Sequence, residues 1–202
     1  MGFTADRAAA AAVADADARD AAERSIAIDP LDPPANFAMG RLQILNREPD
    51  DGLVWLDRAV DLSPSYAKGH YSRSLIHVLA GRRVETRSGI DLASRLSPLD
   101  PLLAPMRSLH AMSLAIDGNF DGAADWAVRA ARTSNAHFIG VMFAVIACQL
   151  AGQSVQTAHW MAVLRDHRPD ARAAHFLNAL PFVDPAFRAT LLAALKAAGL
   201  PD

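Results

Sequence analysis

Cysteine is almost missing from this chain. Cys148 stands alone, so no disulfide can close within the sequence and no multi-cysteine zinc site can be built. That scarcity fits a reducing compartment, and cytoplasm is the expected location. An excess of either charge is also missing: 20 lysines and arginines face 22 acidic residues, a net charge of -2. Such a balance supplies no global attraction for nucleic acid or anionic lipid, so neither is expected as a partner. No apolar run is long enough for a membrane span, since the longest, Phe138 to Leu150, is well short of the ~20 residues required. The amino-terminal MGFTADRAAAAAVADADARD lacks a basic segment followed by a clean apolar core, because Asp6, Asp15 and Asp17 interrupt its alanines. Asp6 also stands where N-myristoylation after Gly2 wants Ser or Thr. Finally, the chain contains no GxxxxGK[ST] loop, no GxGxxG fingerprint and no GxSxG elbow. Without a nameable nucleophile, the expectation is a non-enzyme with no cofactor.

What is present is a period. With 51% hydrophobic residues the chain has ample material for a continuous core. The segments SIAIDP, AVDLSP, LASRLSP and AVLRDHRP end at Pro30, Pro64, Pro98 and Pro169. The first three prolines fall 34 residues apart, and the remaining interval divides at Asn135, with a longer connection at LSPLDPLLAP. A second ruler agrees: LAGRRVE, IDGNFDG and LAGQSVQ place Gly81, Gly118 and Gly152 at one repeat position, where the chain turns between two helices. The matching stretch at Asn46 and Arg47 has no glycine. Small residues recur where paired helices must cross closely: Gly40, Gly52 and Ala59, then Ser74, Thr86 and Ala93, then Ala111, Ala123 and Ala130. Val145, Thr157 and Leu164 are the bulkier equivalents in the last repeat.

On these residues the chain resembles the tetratricopeptide-repeat (TPR) family. The resemblance implies an all-α, right-handed superhelical solenoid of antiparallel helix pairs. Its expected organisation is one repeat domain over 1–202, with degenerate amino-terminal helices at 5–29. Repeats follow at about 33–66, 67–100, 104–137 and 138–171, with a carboxyl-terminal cap over 172–202. The cap rests on a helix begun by Asp184 and Pro185 and ended by Gly199 and Pro201. Phe187, Leu191, Leu192 and Leu195 fall on its apolar side, Arg188 and Lys196 outside. The tail Leu180 to Asp202 and the SPLDP at Ser97 to Pro101 also resemble the carboxyl-terminal TPR regions of bacterial class III adenylate cyclases and winged-helix transcriptional regulators.

The family resemblance implies a protein-interaction module that takes a peptide or protein segment in a concave groove lined by the first helix of each repeat. In this phase the groove residues are Phe37, Arg41, Ile44, Lys68, Tyr71, Leu75, Ser108, Met112, Ile139, Met142, Ile146 and Gln149. Arg41 and Lys68 would hold an acceptor and the apolar members would anchor the rest. The lysine, asparagine and arginine clamp of chaperone-binding TPRs is not reproduced. The alternative function, carried by the tail, is a self-associating regulatory or sensory segment of a signalling protein, with a homodimer as its product. His70 and His77 lie seven residues apart on one helix, yet no carboxylate or cysteine completes a metal set, so two partly exposed histidines and no metal are expected. Cys148 is expected to be a small core residue.

Overall fold

The computed structural model describes residues 16–46, 48–134 and 136–201. Among them every regular element is an α-helix: α1 over residues 16–28, α2 (Pro33–Leu45), α3 (Pro49–Leu62), α4 (Ala67–Leu79), α5 (Arg83–Leu96), α6 (Leu103–Ile116), α7 (Phe120–Ala131), α8 (Phe138–Leu150), α9 (Ser154–His167), α10 (Ala173–Ala179) and α11 (Pro185–Ala197). The expected amino-terminal helical segment before residue 16, the readings at Gly2, Asp6 and Asp15, the turn residue Arg47, the phase marker Asn135 and the terminal Asp202 lie outside the described residues. The chain divides into two compact units, the first ending at Arg73 and the second beginning at Ser74, within α4.

Helices alternate with short turns, and the turn chemistry explains the glycine ruler. Gly81, Gly118 and Gly152 adopt φ of 75°, 76° and 69°, a left-handed conformation that costs any residue with a Cβ. Each sits just past a helix end and lets the preceding carbonyls find donors. Arg82 N–H donates to His77 O at 2.8 Å and Gly81 N–H to Val78 O at 3.1 Å, the paired bonds of a Schellman cap. The same pair recurs as Asn119 to Leu114 and Gly118 to Ala115, then as Gln153 to Cys148 and Gly152 to Gln149. Gly199, at φ 88°, ends α11 in this way too, with Leu200 N–H on Leu195 O. In the first pair, where glycine is missing, Glu48 N–H still reaches Gln43 O at 2.8 Å.

Close helix crossing accounts for the small residues. In the first unit α2 packs on α3, and a Cβ added at Gly40 would stand 2.5 Å from Leu56 Cγ and 3.0 Å from Gly52 O. No side chain larger than hydrogen fits there without movement. Ala59, Thr86, Ala93, Ala111, Ala123 and Ala130 are all buried, as are the bulkier Val145, Thr157 and Leu164. Thr86 and Thr157 make their hydroxyls tolerable in the core by donating to the carbonyls four residues back, Arg82 O and Gln153 O.

In the second unit α5 packs on α6, α6 on α7, α7 on α8 and α8 on α9. The end of the chain departs from that succession, because both α10 and α11 pack against α8. Asp184 caps α11 by accepting from Ala186 N–H at 2.8 Å, with Pro185 in its first turn, as the sequence implies. Leu191 and Leu195 are fully buried, whereas Phe187 and Leu192 keep part of their surface. Two backbone bonds tie the segment down: Val183 N–H to Leu79 O at 2.9 Å and Ala173 N–H to Pro201 O at 2.8 Å.

Candidate functional site

The expected groove residues divide by unit. In the first unit Phe37, Arg41 and Ile44 follow one another at helical spacing along α2, all partly exposed, and Lys68 is exposed at the start of α4. Phe37 meets the ring of Tyr66 edge-on with centroids 5.6 Å apart, which holds its χ angles without covering it. Arg41 and Tyr71 are electrostatically coupled: burial pushes the Tyr71 phenol above its ordinary range, and the Arg41 guanidinium opposes that shift. Tyr71 is therefore a neutral hydroxyl at physiological pH. Arg41 Nη1 is buried from solvent and has no hydrogen-bond partner among the described residues. A guanidinium nitrogen so placed has lost water without gaining an acceptor, an arrangement that costs free energy until one arrives.

The second unit gives its candidates a different environment. Leu75, Ser108, Met112, Met142 and Ile146 are buried, and only Ile139 and Gln149 retain part of their surface. The sequence reading put these five in a groove lining; the structure puts them in the core. On α8 every residue from Val141 to Cys148 is buried. Consecutive residues step 100° around a helix, so eight in a row sample every direction and leave no free face. The cover comes from α6, α7, α9, α10 and α11, with Phe143 stacked on Phe176 of α10 at 6.0 Å. Ser108 turns its hydroxyl inward to Ala104 O of its own helix at 3.2 Å.

The two histidines also part company. His70 is buried, and its Nε2 lies 2.9 Å from Pro64 O, which corrects the expectation of partial exposure; His77 does keep part of its surface. One repeat earlier Asn36 does the same work, donating from Nδ2 to Pro30 O at 3.0 Å and to Asp32 O at 2.9 Å. Both residues stand six positions after a repeat-ending proline and meet its carbonyl, which has no backbone donor among the described residues. Sequence reading missed this pairing, although Asn36 and His70 are themselves 34 residues apart. Among the described residues no three His, Cys, Asp or Glu side chains gather as a metal set. Cys148 is buried, and burial pushes its thiol up to about 11, so it holds its proton and is a poor nucleophile. No described helix is long and apolar enough to cross a membrane.

No protein-family model and no curated protein matches the sequence. Solved structures do match. The crystal structure of PilW, a widely conserved type IV pilus biogenesis factor, is similar with a TM-score of 0.70 at 17% identity, over 95% of this chain and 90% of that one. The structure of YrrB, a TPR protein with an unusual peptide-binding site, is similar with a TM-score of 0.59 at 17% identity, over 88% of this chain and 90% of that one. At such identity the likeness carries the fold alone, and nothing in these comparisons supports the narrower cyclase-like and winged-helix resemblance of the tail. The chain has the all-α solenoid fold of TPR proteins.

Proposed function

We propose that this protein is a non-catalytic interaction module that binds a peptide or protein segment through Phe37, Arg41, Ile44, Lys68 and Tyr71. The observation that carries the reading is Arg41 Nη1, buried and without an acceptor among the described residues, beside a neutral phenol and two partly exposed apolar side chains. A carboxylate or backbone carbonyl of the ligand would complete Arg41, an exposed lysine would add charge, and Phe37 and Ile44 would take an apolar side chain. The TPR fold supports the same class of function, and the peptide-binding site of YrrB is a precedent within that fold. A cytoplasmic setting belongs to this reading and rests on the lone cysteine.

The test is selection of random displayed peptides on the purified full chain, with the winners measured by calorimetry against Arg41→Met and Tyr71→Ala. Selected peptides should share an acidic or carbonyl-rich position next to an apolar one, and each substitution should weaken them about tenfold or more. Peptides that bind both variants as well as the parent would remove the assignment. A stable dimer by light scattering that selects no peptide would replace it with self-association.

A further inference from the structure

On the flank of α6 away from Ser108 and Met112, a cleft of about 240 Å³ opens between α5, α6 and α7. Asp91 and Arg95 of α5, Arg107 and His110 of α6 and Trp126 of α7 line it. Trp126 is partly exposed, and its ring is held by His110 at 4.3 Å between centroids and by the Arg129 guanidinium at 5.4 Å. The tryptophan is thus a rigid apolar wall with a positive margin.

The arginines of this region are not treated alike by the fold. Arg83 and Arg87 of α5 both pair with Asp117, the latter at 2.6 Å. Arg95 of the same helix makes no ion pair or hydrogen bond among the described residues, and Arg107 makes only a long one, 3.4 Å to Arg129 O. Asp91, the sole carboxylate lining the cleft among the described residues, lies 4.0 Å from His110 Nδ1. Burial lowers the His110 pKa below its ordinary value, with Asp91 opposing and Arg87 reinforcing the shift, so the ring is neutral at physiological pH. Among the described residues two guanidinium groups therefore line the cleft with one carboxylate, which leaves one positive charge unanswered beside an apolar wall. The volume falls below the ~300 Å³ at which sites for free small molecules begin, and suits a single side chain.

We propose that this cleft binds a glutamate side chain of a partner protein, its methylenes against Trp126 and its carboxylate held by Arg95 and Arg107. Guanidinium groups match the planar carboxylate with charge-assisted hydrogen bonds, and tryptophan accepts the stem without a polar cost. This surface is separate from the Arg41 face, and its test does not depend on that reading.

The experiment is NMR titration of the ¹⁵N-labelled full chain, following the Trp126 indole N–H. The probes are N-acetyl-glutamate N-methylamide, its glutamine counterpart and inorganic phosphate. The glutamate probe should give a saturable shift with a Kd on the order of millimolar, and the glutamine probe should bind about tenfold more weakly or not at all. Arg107→Gln and Arg95→Gln should each weaken the glutamate probe about tenfold. Arg95 is exposed, so its variant tests the site even if loss of the Arg107 contact disturbs folding. Absence of a saturable Trp126 shift, equal binding of the two amino-acid probes, tighter binding of phosphate, or an unchanged response in Arg95→Gln would each overturn the assignment.

Discussion

Helices α2 and α8 hold the same place in their repeats, the first helix of a pair, yet α2 carries partly exposed side chains along its length while the middle of α8 is buried all round. On α2, Phe37, Arg41 and Ile44 are partly exposed and Arg41 Nη1 lacks an acceptor among the described residues. On α8, eight consecutive residues are buried and the cover includes the last two helices of the chain. Repeat position alone therefore does not decide whether a helix face meets a ligand. What packs on that face decides it, and on α8 the chain's own carboxyl-terminal segment has done so.

The comparison is broken most severely by removing the cover. Phe176→Ala deletes the ring stacked on Phe143 and should cost about 3–5 kcal/mol, read from urea unfolding of the full chain. A loss under about 1 kcal/mol would mean that α10 rests on α8 without stabilising it. A smaller effect is expected from crowding the pair that supports the open face. Gly40→Ala brings a methyl against Leu56 and should cost about 1–3 kcal/mol, since Leu56 is fully buried and cannot swing into solvent. The smallest change should come at the open face itself. Arg41→Met removes a guanidinium nitrogen with no acceptor among the described residues and should alter stability by no more than about 0.5 kcal/mol, or raise it. A loss above about 2 kcal/mol would show that Arg41 holds the fold together, and the ligand reading of that face would fail with it.

Much of the fold was legible because it depends on local chemistry that repeats. Gly81, Gly118 and Gly152 mark turns in the sequence because a left-handed residue is needed to close each Schellman cap, and only glycine adopts that conformation without strain. Gly40 marks a helix crossing for a similar reason, the absence of room for a Cβ. Exposure along the first helices was legible only in part. Helical spacing puts Phe37, Arg41 and Ile44 along one side of α2, where they are partly exposed, but spacing cannot report that Met142 and Ile146 are covered. One signal did point that way: Phe138 to Leu150 carries no charged residue, and a helix apolar on all sides is a buried one. The cleft at Arg95, Arg107 and Trp126 left no such trace, because its residues come from three helices and share no motif.

The repeat, its helix pairs, its turns and the close crossings are written locally in the chain, since each follows from backbone conformation or from side-chain volume within about 34 residues. Which side chains stay exposed is set instead by packing between segments far apart in the chain. Whether Arg41 finds an acceptor, whether α8 keeps a face and whether Arg95 meets a carboxylate all depend on distant segments, and burial is a property of contacts that no local pattern contains.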